Sequence, residues 1–233
     1  MDGFSYHNIF DTKGIEYLVI IAFLILLIPF WVILNKQAAL KKKMSQALGM
    51  LTAGILRIPQ GLFYNRNHMW TRLEKSGNAR IGVDDLLVHL TGEMSFRNLK
   101  EAGDSVRKGE PIGVFDQQGK KLKVYAPVSG EVLNVNEALL KEPGLLTEDP
   151  YDQGWLYRIK PSDWKGETAS FYVAGETSGW AEKELQRFKD FIAGSARNEQ
   201  VVLQDGGELL DHSLSVLPED LWQNFQKEFL DPE

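Results

Sequence analysis

Apolar residues run almost unbroken from Ile15 to Leu34, with Glu16 as the single charge. A helix needs about twenty such residues to cross a hydrocarbon core of about 30 Å, so the stretch is predicted to be a transmembrane helix. Tyr17 and Trp31 fall near its two ends, where interfacial aromatics sit, and Pro29 is tolerable in a membrane helix. The competing reading, a cleaved signal peptide, calls for a positive n-region and a small-residue cleavage site. Asp2, Asp11 and Lys13 precede the run instead, and Asn35-Lys36-Gln37 follows it. From Gln37 to Ile58 apolar residues recur at Leu40, Met44, Ala47, Leu48, Leu51, Ile55 and Leu56. That is the spacing of one helical face, and it predicts a helix ending before Pro59-Gln60-Gly61.

Beyond Leu62 the period shortens. Trp70–Leu73, Ala79–Val83, Gly113–Phe115, Leu122–Tyr125 and Gly130–Val135 are short apolar or alternating runs separated by turn residues, which predicts strands. Asp84 or Asp85 can cap a short helix at Leu86–Leu90, and Asn136 one at Glu137–Leu140. Hairpin-rich layers closing on each other predict a mainly β fold, a flattened barrel or sandwich with short helices. Asp116–Lys121 reads as a tight turn in which Gly119 supplies positive φ. After Asp163 the helical period returns. Trp180–Ile192 places Leu185, Phe188 and Ile192 on one side, with Ser178 as the predicted cap. Gln200–Leu203 is a strand candidate, and Asp205-Gly206-Gly207 a turn. A last helix starts at Leu217-Pro218 and carries Leu221, Trp222, Phe225 and Phe229 as its apolar set. This set either folds back on its own domain, the expected outcome, or enters a partner's groove.

The predicted organisation is a short extracytoplasmic tail (1–14), a transmembrane helix (15–34), a basic juxtamembrane helix and linker (35–61), a β domain (62–165) and an α-rich C-terminal extension (166–233). Charge sets the orientation. From Asn35 to Leu73 the chain has Lys36, Lys41, Lys42, Lys43, Arg57, Arg66 and Arg72 and no acidic residue. The positive-inside rule then places the globular part in the cytoplasm and the N-terminus outside, on the inner membrane. Lys36, Lys41, Lys42 and Lys43 serve as a topology signal or bind anionic headgroups of membrane lipid. A net charge of −6 that includes this basic collar leaves an acidic body, a poor partner for nucleic acid. The chain has no cysteine, which decides little about compartment. No nucleophile motif, phosphate loop or metal-ligand spacing is present, so no enzyme and no metal site is predicted. His89 is expected to be a surface residue rather than a ligand, because no Cys or second His lies at ligand spacing.

Several separated stretches carry a resemblance. They are Leu62-Phe63-Tyr64, His68-Met69-Trp70, Gly103-Asp104-Ser105-Val106-Arg107-Lys108-Gly109, Ala126-Pro127-Val128-Ser129-Gly130-Glu131-Val132, Asn134-Val135-Asn136-Glu137-Ala138-Leu139, Glu148-Asp149-Pro150-Tyr151 and Gly154-Trp155-Leu156. In this order and spacing, 63–163 resembles the H protein of the glycine cleavage system, a lipoyl-type domain, without insertion or deletion. Met69 stands where that family usually has Glu, and His68, from its His-x-Trp motif, is expected to be structural.

The resemblance implies a swinging lipoyl arm on a lysine at the hairpin tip, which the family places eight residues before the proline of Pro-x-Ser-Gly. Counting back from Pro127 lands on Gly119. Asp116 fills the acidic place three positions earlier that the family tends to have. A glycine holds no arm, so no cofactor is expected there. The alternative is lipoate on Lys120, displaced to the opposite face, or on Lys121, which keeps the parity but lies further from the tip. The sequence thus predicts a membrane-anchored, arm-less interaction or scaffold module whose partners are lipid and subunits of a membrane complex, with a redox complex as candidate. A tethered lipoyl carrier is the rival. In a third reading the empty hairpin engages lipoate-handling enzymes.

Overall fold

The computed structural model describes residues 17–31, 49–173, 175–195 and 209–232. The chain forms two compact units, Met1–Leu48 and Gly49–Glu233. In the first, residues 17–31 form a helix, α1, whose side chains are exposed along its length. Among the described residues no helix is long and apolar enough to cross a membrane. The remainder of the predicted 15–34 span lies outside the described residues, as do the tail at 1–14 and Lys36, Lys41, Lys42 and Lys43.

The second unit runs β1 (Met50–Leu51), β2 (Phe63–Tyr64), β3 (Met69–Leu73), β4 (Ala79–Val83), α2 (Asp85–Thr91), β5 (Ser95–Asn98), β6 (Ser105–Val106), β7 (Pro111–Gln117), β8 (Lys120–Tyr125) and β9 (Gly130–Val135). It continues through α3 (Ala138–Lys141), α4 (Leu145–Glu148), β10 (Tyr157–Pro161), α5 (Trp164–Thr168), β11 (Tyr172–Val173), α6 (Glu176–Ser195), β12 (Leu209–Leu210), α7 (Glu219–Phe225) and a π-turn at Gln226–Leu230. Seven strands form the larger sheet, in the order β11-β2-β3-β4-β10-β9-β6, and three the smaller, β5-β7-β8.

The two sheets close on one core. Ile81, Val83, Val132 and Ile159 from the larger sheet meet Phe96, Ile112, Phe115, Leu122 and Val124 from the smaller. Tyr157 joins the layers by donating its hydroxyl to the Ile112 carbonyl at 2.5 Å. At the joint between β9 and β10, a Cβ on Gly130 would overlap the Lys160 carbonyl oxygen and the Ile159 side chain. The Ser-Gly of the Pro-x-Ser-Gly stretch is therefore a close-approach device. Asp84 caps α2, accepting from the Leu87 N–H at 2.8 Å. Asn136 accepts from the Ala138 N–H at 3.2 Å, one residue ahead of the cap position at Glu137.

Where the predicted Gln37–Ile58 helix is described, it is not helical. Residues 49–58 hold β1 and turns, and 37–48 lie outside the described residues. Gly49 takes a φ of 65°, and Leu51 is buried by pairing with Leu209 of the extension, a partner that local periodicity cannot report. Helix α6 begins at Glu176, so Ser178 lies inside its first turn rather than capping it. The strand candidate Gln200–Leu203 and the turn at 205–207 lie outside the described residues. Pro218 takes the cap position of α7, and Leu221, Trp222, Phe225 and Phe229 are buried in the same core as the sheets. The C-terminal extension therefore packs on its own domain.

Candidate functional site

The hairpin β7–β8 is the element where the predicted site lies. Gln117 pairs with Lys120, leaving Gln118 and Gly119 as a two-residue loop with φ of 53° and 93°. Two consecutive left-handed residues are the type I′ geometry that matches the twist of a hairpin. Gly119 accommodates its φ freely because it has no Cβ, and no atom lies within 4 Å of where one would be. Asp116 accepts the Gly119 N–H at 3.0 Å, so this acidic residue is a turn former. On the other side Gln117 donates its amide to the carbonyls of Thr91, at 2.6 Å, and Glu93, at 3.2 Å. The tip is thus exposed, and its base is fixed.

Residues 209–232 form a strap over this hairpin. The Lys120 ammonium donates to the carbonyls of Ser215, at 2.9 Å, and Leu217, at 2.5 Å, and lies 5.6 Å from the centre of a Trp222 ring. Lys121, by contrast, is exposed. Strand β8 is the edge of the smaller sheet, and the strap seals it. The Lys123 N–H donates to Gln226 Oε1 at 2.7 Å, while Gln226 Nε2 donates to the Lys123 carbonyl at 3.2 Å. One side-chain amide thus replaces a neighbouring strand at an edge that would otherwise invite pairing. Tyr125 donates its hydroxyl to Asp231 at 2.8 Å, and its pKa is pushed up to about 12 by burial and by that carboxylate. Asn67 closes the far side, donating to the carbonyls of Leu230, at 3.1 Å, and Asp231, at 2.9 Å.

Two histidines hold the extension to the body. His68 is buried, with Nδ1 at 2.8 Å from Asp84 and Nε2 at 3.8 Å from Glu184 of α6. Burial favours the neutral ring, but the carboxylates of Asp84 and then Glu184 outweigh it and hold the pKa above its ordinary value. Its expected structural role is met. His89 differs from the predicted surface residue. Its Nδ1 lies 2.9 Å from Asp211 on the strap and its Nε2 3.3 Å from Asp85, with a fifth of the side chain exposed. Burial works against the charged ring, yet the hydrogen bonds to Asp211 and Asp85 push its pKa up to about 9. The strap also takes up two carbonyls at the end of α2, with His212 N–H donating to His89 and Leu214 N–H to Leu90.

The arrangement joins Asp116 to Gly119 through the turn and sets Lys121 opposite Asp116 on exposed surface, while Lys120, paired with Gln117, turns to the strap. Sequence reasoning missed Gln226, Gln117 and Asp211. A signal did exist for Lys120: it shares strand parity with the buried Leu122 and Val124, which put it on a covered face. A lipoyl group needs a free amine at the tip. Gly119 has none and the amine of Lys120 is engaged, so these two positions do not fit the group. Among the described residues no group of His, Cys, Asp and Glu could hold a metal. A cavity of about 600 Å³ lies at the other end of β8 from the tip, with Lys108, Tyr125, Phe171 and Arg187 in its wall.

Comparison with known proteins places much of this unit in one sequence family. The family model described as glycine cleavage H-protein matches residues 62–182. The glycine cleavage system H protein of Shewanella loihica is 43% identical over 106 residues, 46% of this chain and 82% of that protein. The probable glycine cleavage system H protein of Thermococcus gammatolerans is 37% identical over 114 residues, 49% of this chain and 84% of that protein. The crystal structure of an H protein from Mycobacterium marinum aligns with a TM-score of 0.47 at 29% identity, over 53% of this chain and 98% of that one. The strap, 209–232, lies wholly beyond the residues that the family model matches. On the family model matched over 62–182 and the identity to the Shewanella loihica and Thermococcus gammatolerans proteins, the chain belongs to the glycine cleavage H-protein family.

Proposed function

We propose that this chain is a membrane-tethered member of the family that carries no lipoyl arm at its hairpin tip. It serves as an interaction or scaffold subunit of a membrane complex, with a redox complex as the specific candidate, on the cytoplasmic face of the inner membrane. The observation that carries this reading is the glycine at the tip beside a lysine whose ammonium is engaged by two carbonyls. The tether is supported by α1, apolar and exposed throughout, within a twenty-residue run flanked by Lys36, Lys41, Lys42 and Lys43. Catalysis of glycine breakdown is not part of the proposal, because the residue that would bear the arm is the one that differs.

Peptide mass spectrometry of protein from its native membrane, covering 116–123, tests the reading. An unmodified hairpin in protein that copurifies with other subunits supports it. A lipoyl mass overturns it, and recovery solely as a free monomer removes the scaffold role. The second reading, a tethered lipoyl carrier modified on Lys120 or Lys121, is favoured by one observation, the exposure of Lys121.

A further inference from the structure

We propose that the C-terminal strap takes Lys120 as its internal anchor and so leaves Lys121 as the lysine of the hairpin's outer end that is open to acylation. The two neighbours differ in surroundings although they differ by one residue in sequence. Successive side chains on a strand point to opposite faces. Lys120 falls on the face covered by the strap, where Ser215 and Leu217 turn their carbonyls onto its ammonium and Trp222 lies beside it. Lys121 falls on the other face, opposite Asp116 in the strand register, and is exposed.

Burial holds the anchor in place. Leu209, Leu214, Leu217, Leu221, Trp222, Phe225, Phe229 and Leu230 are all buried in the main core. Releasing the strap would return this apolar surface to water, and no fluctuation of the hairpin alone achieves that. An amine must be neutral and free of its hydrogen-bond acceptors to attack an acyl group. Lys120 has to give up two charge-assisted bonds to strap carbonyls first, whereas Lys121 is exposed in the folded protein.

The inference stands whether or not the scaffold reading holds, since it concerns which amine can react rather than whether a cell modifies it. The test is competitive labelling of the full chain in detergent with acetic anhydride. The Nζ lone pair attacks one carbonyl carbon and the N–C bond forms. The C–O bond to the leaving acetate breaks, and the amine proton passes to solvent. Peptide masses read the rates at Lys120 and Lys121, each divided by its rate in guanidinium-unfolded protein to remove intrinsic reactivity. The expected result is Lys120 slower than Lys121 by about tenfold or more, from the loss of two charge-assisted hydrogen bonds. Equal normalised rates would overturn the proposal, and so would a faster Lys120.

Discussion

Replacing Gln226 with alanine removes the amide that seals the outer edge of β8. The bonds lost are the pair to Lys123 and the one to Asp231 at 2.6 Å. A net hydrogen bond contributes about 0.5–1.5 kcal/mol, but water replaces part of the two exposed ones, so the expected loss is about 1–2 kcal/mol. In a domain of this size that lowers Tm by roughly 2–8 °C. The sharper measurement is local. Pairs in an antiparallel ladder alternate, so from Gln117 and Lys120 onward the amides of Leu122 and Val124 face β7 while that of Lys123 faces off the sheet. Hydrogen exchange on Gln226→Ala should therefore strip protection from the Lys123 amide and spare Leu122 and Val124. If Lys123 stays protected, Gln226 does not seal the edge, and the strap is held by its apolar residues and its other polar contacts.

The His89 contacts predict a stability that depends on alkaline pH. Its folded pKa, about 9, lies above the ordinary 6.5, so the contribution is fully present below pH 6.5 and is lost as pH rises through 9. The shift corresponds to about 3 kcal/mol at most, shared with Asp85 and Asp211. Thermal melts of His89→Gln should be lower at pH 6 and converge with the parent near pH 10; parallel curves would refute the assignment. Gly119→Lys should fold with a loss of about 1 kcal/mol, the cost of a side chain at positive φ, because its Cβ meets no neighbour. Insoluble protein would contradict the open tip. Gly130→Ala should cost about 1–3 kcal/mol in chemical denaturation, since β9 and β10 must part to admit a methyl group against the Lys160 carbonyl. An unchanged midpoint would show that the joint is loose.

Much of the domain was legible because its information is local. Ala79–Val83 and Gly130–Val135 have the strand bounds their alternation predicted, and the hairpin loop has the turn that Asp116 and Gly119 encode. Asp84 caps α2 as its side chain allows. The failures share a different cause. The helical stripe before Ile58 resolved into β1 where it is described, because Leu51 is buried against Leu209, about 160 residues away in sequence. His89 read as a solvated helix residue, since its partner Asp211 comes from the far end of the chain.

Taken alone, the order of residues determined the family, the tight turn at the tip and the lack of an amine at position 119. These follow from motif spacing, strand parity and one side chain's chemistry, all readable along a single stretch. Which face of the hairpin is covered was decided only in three dimensions. Lys120 and Lys121 carry the same side chain, and nothing in either distinguishes an anchor from a free amine. The distinction arises from the carbonyls of Ser215 and Leu217 and the amide of Gln226, contacts about a hundred residues apart in sequence. The buried apolar residues of the strap hold those groups in place, and that burial exists only once the chain has folded back on itself.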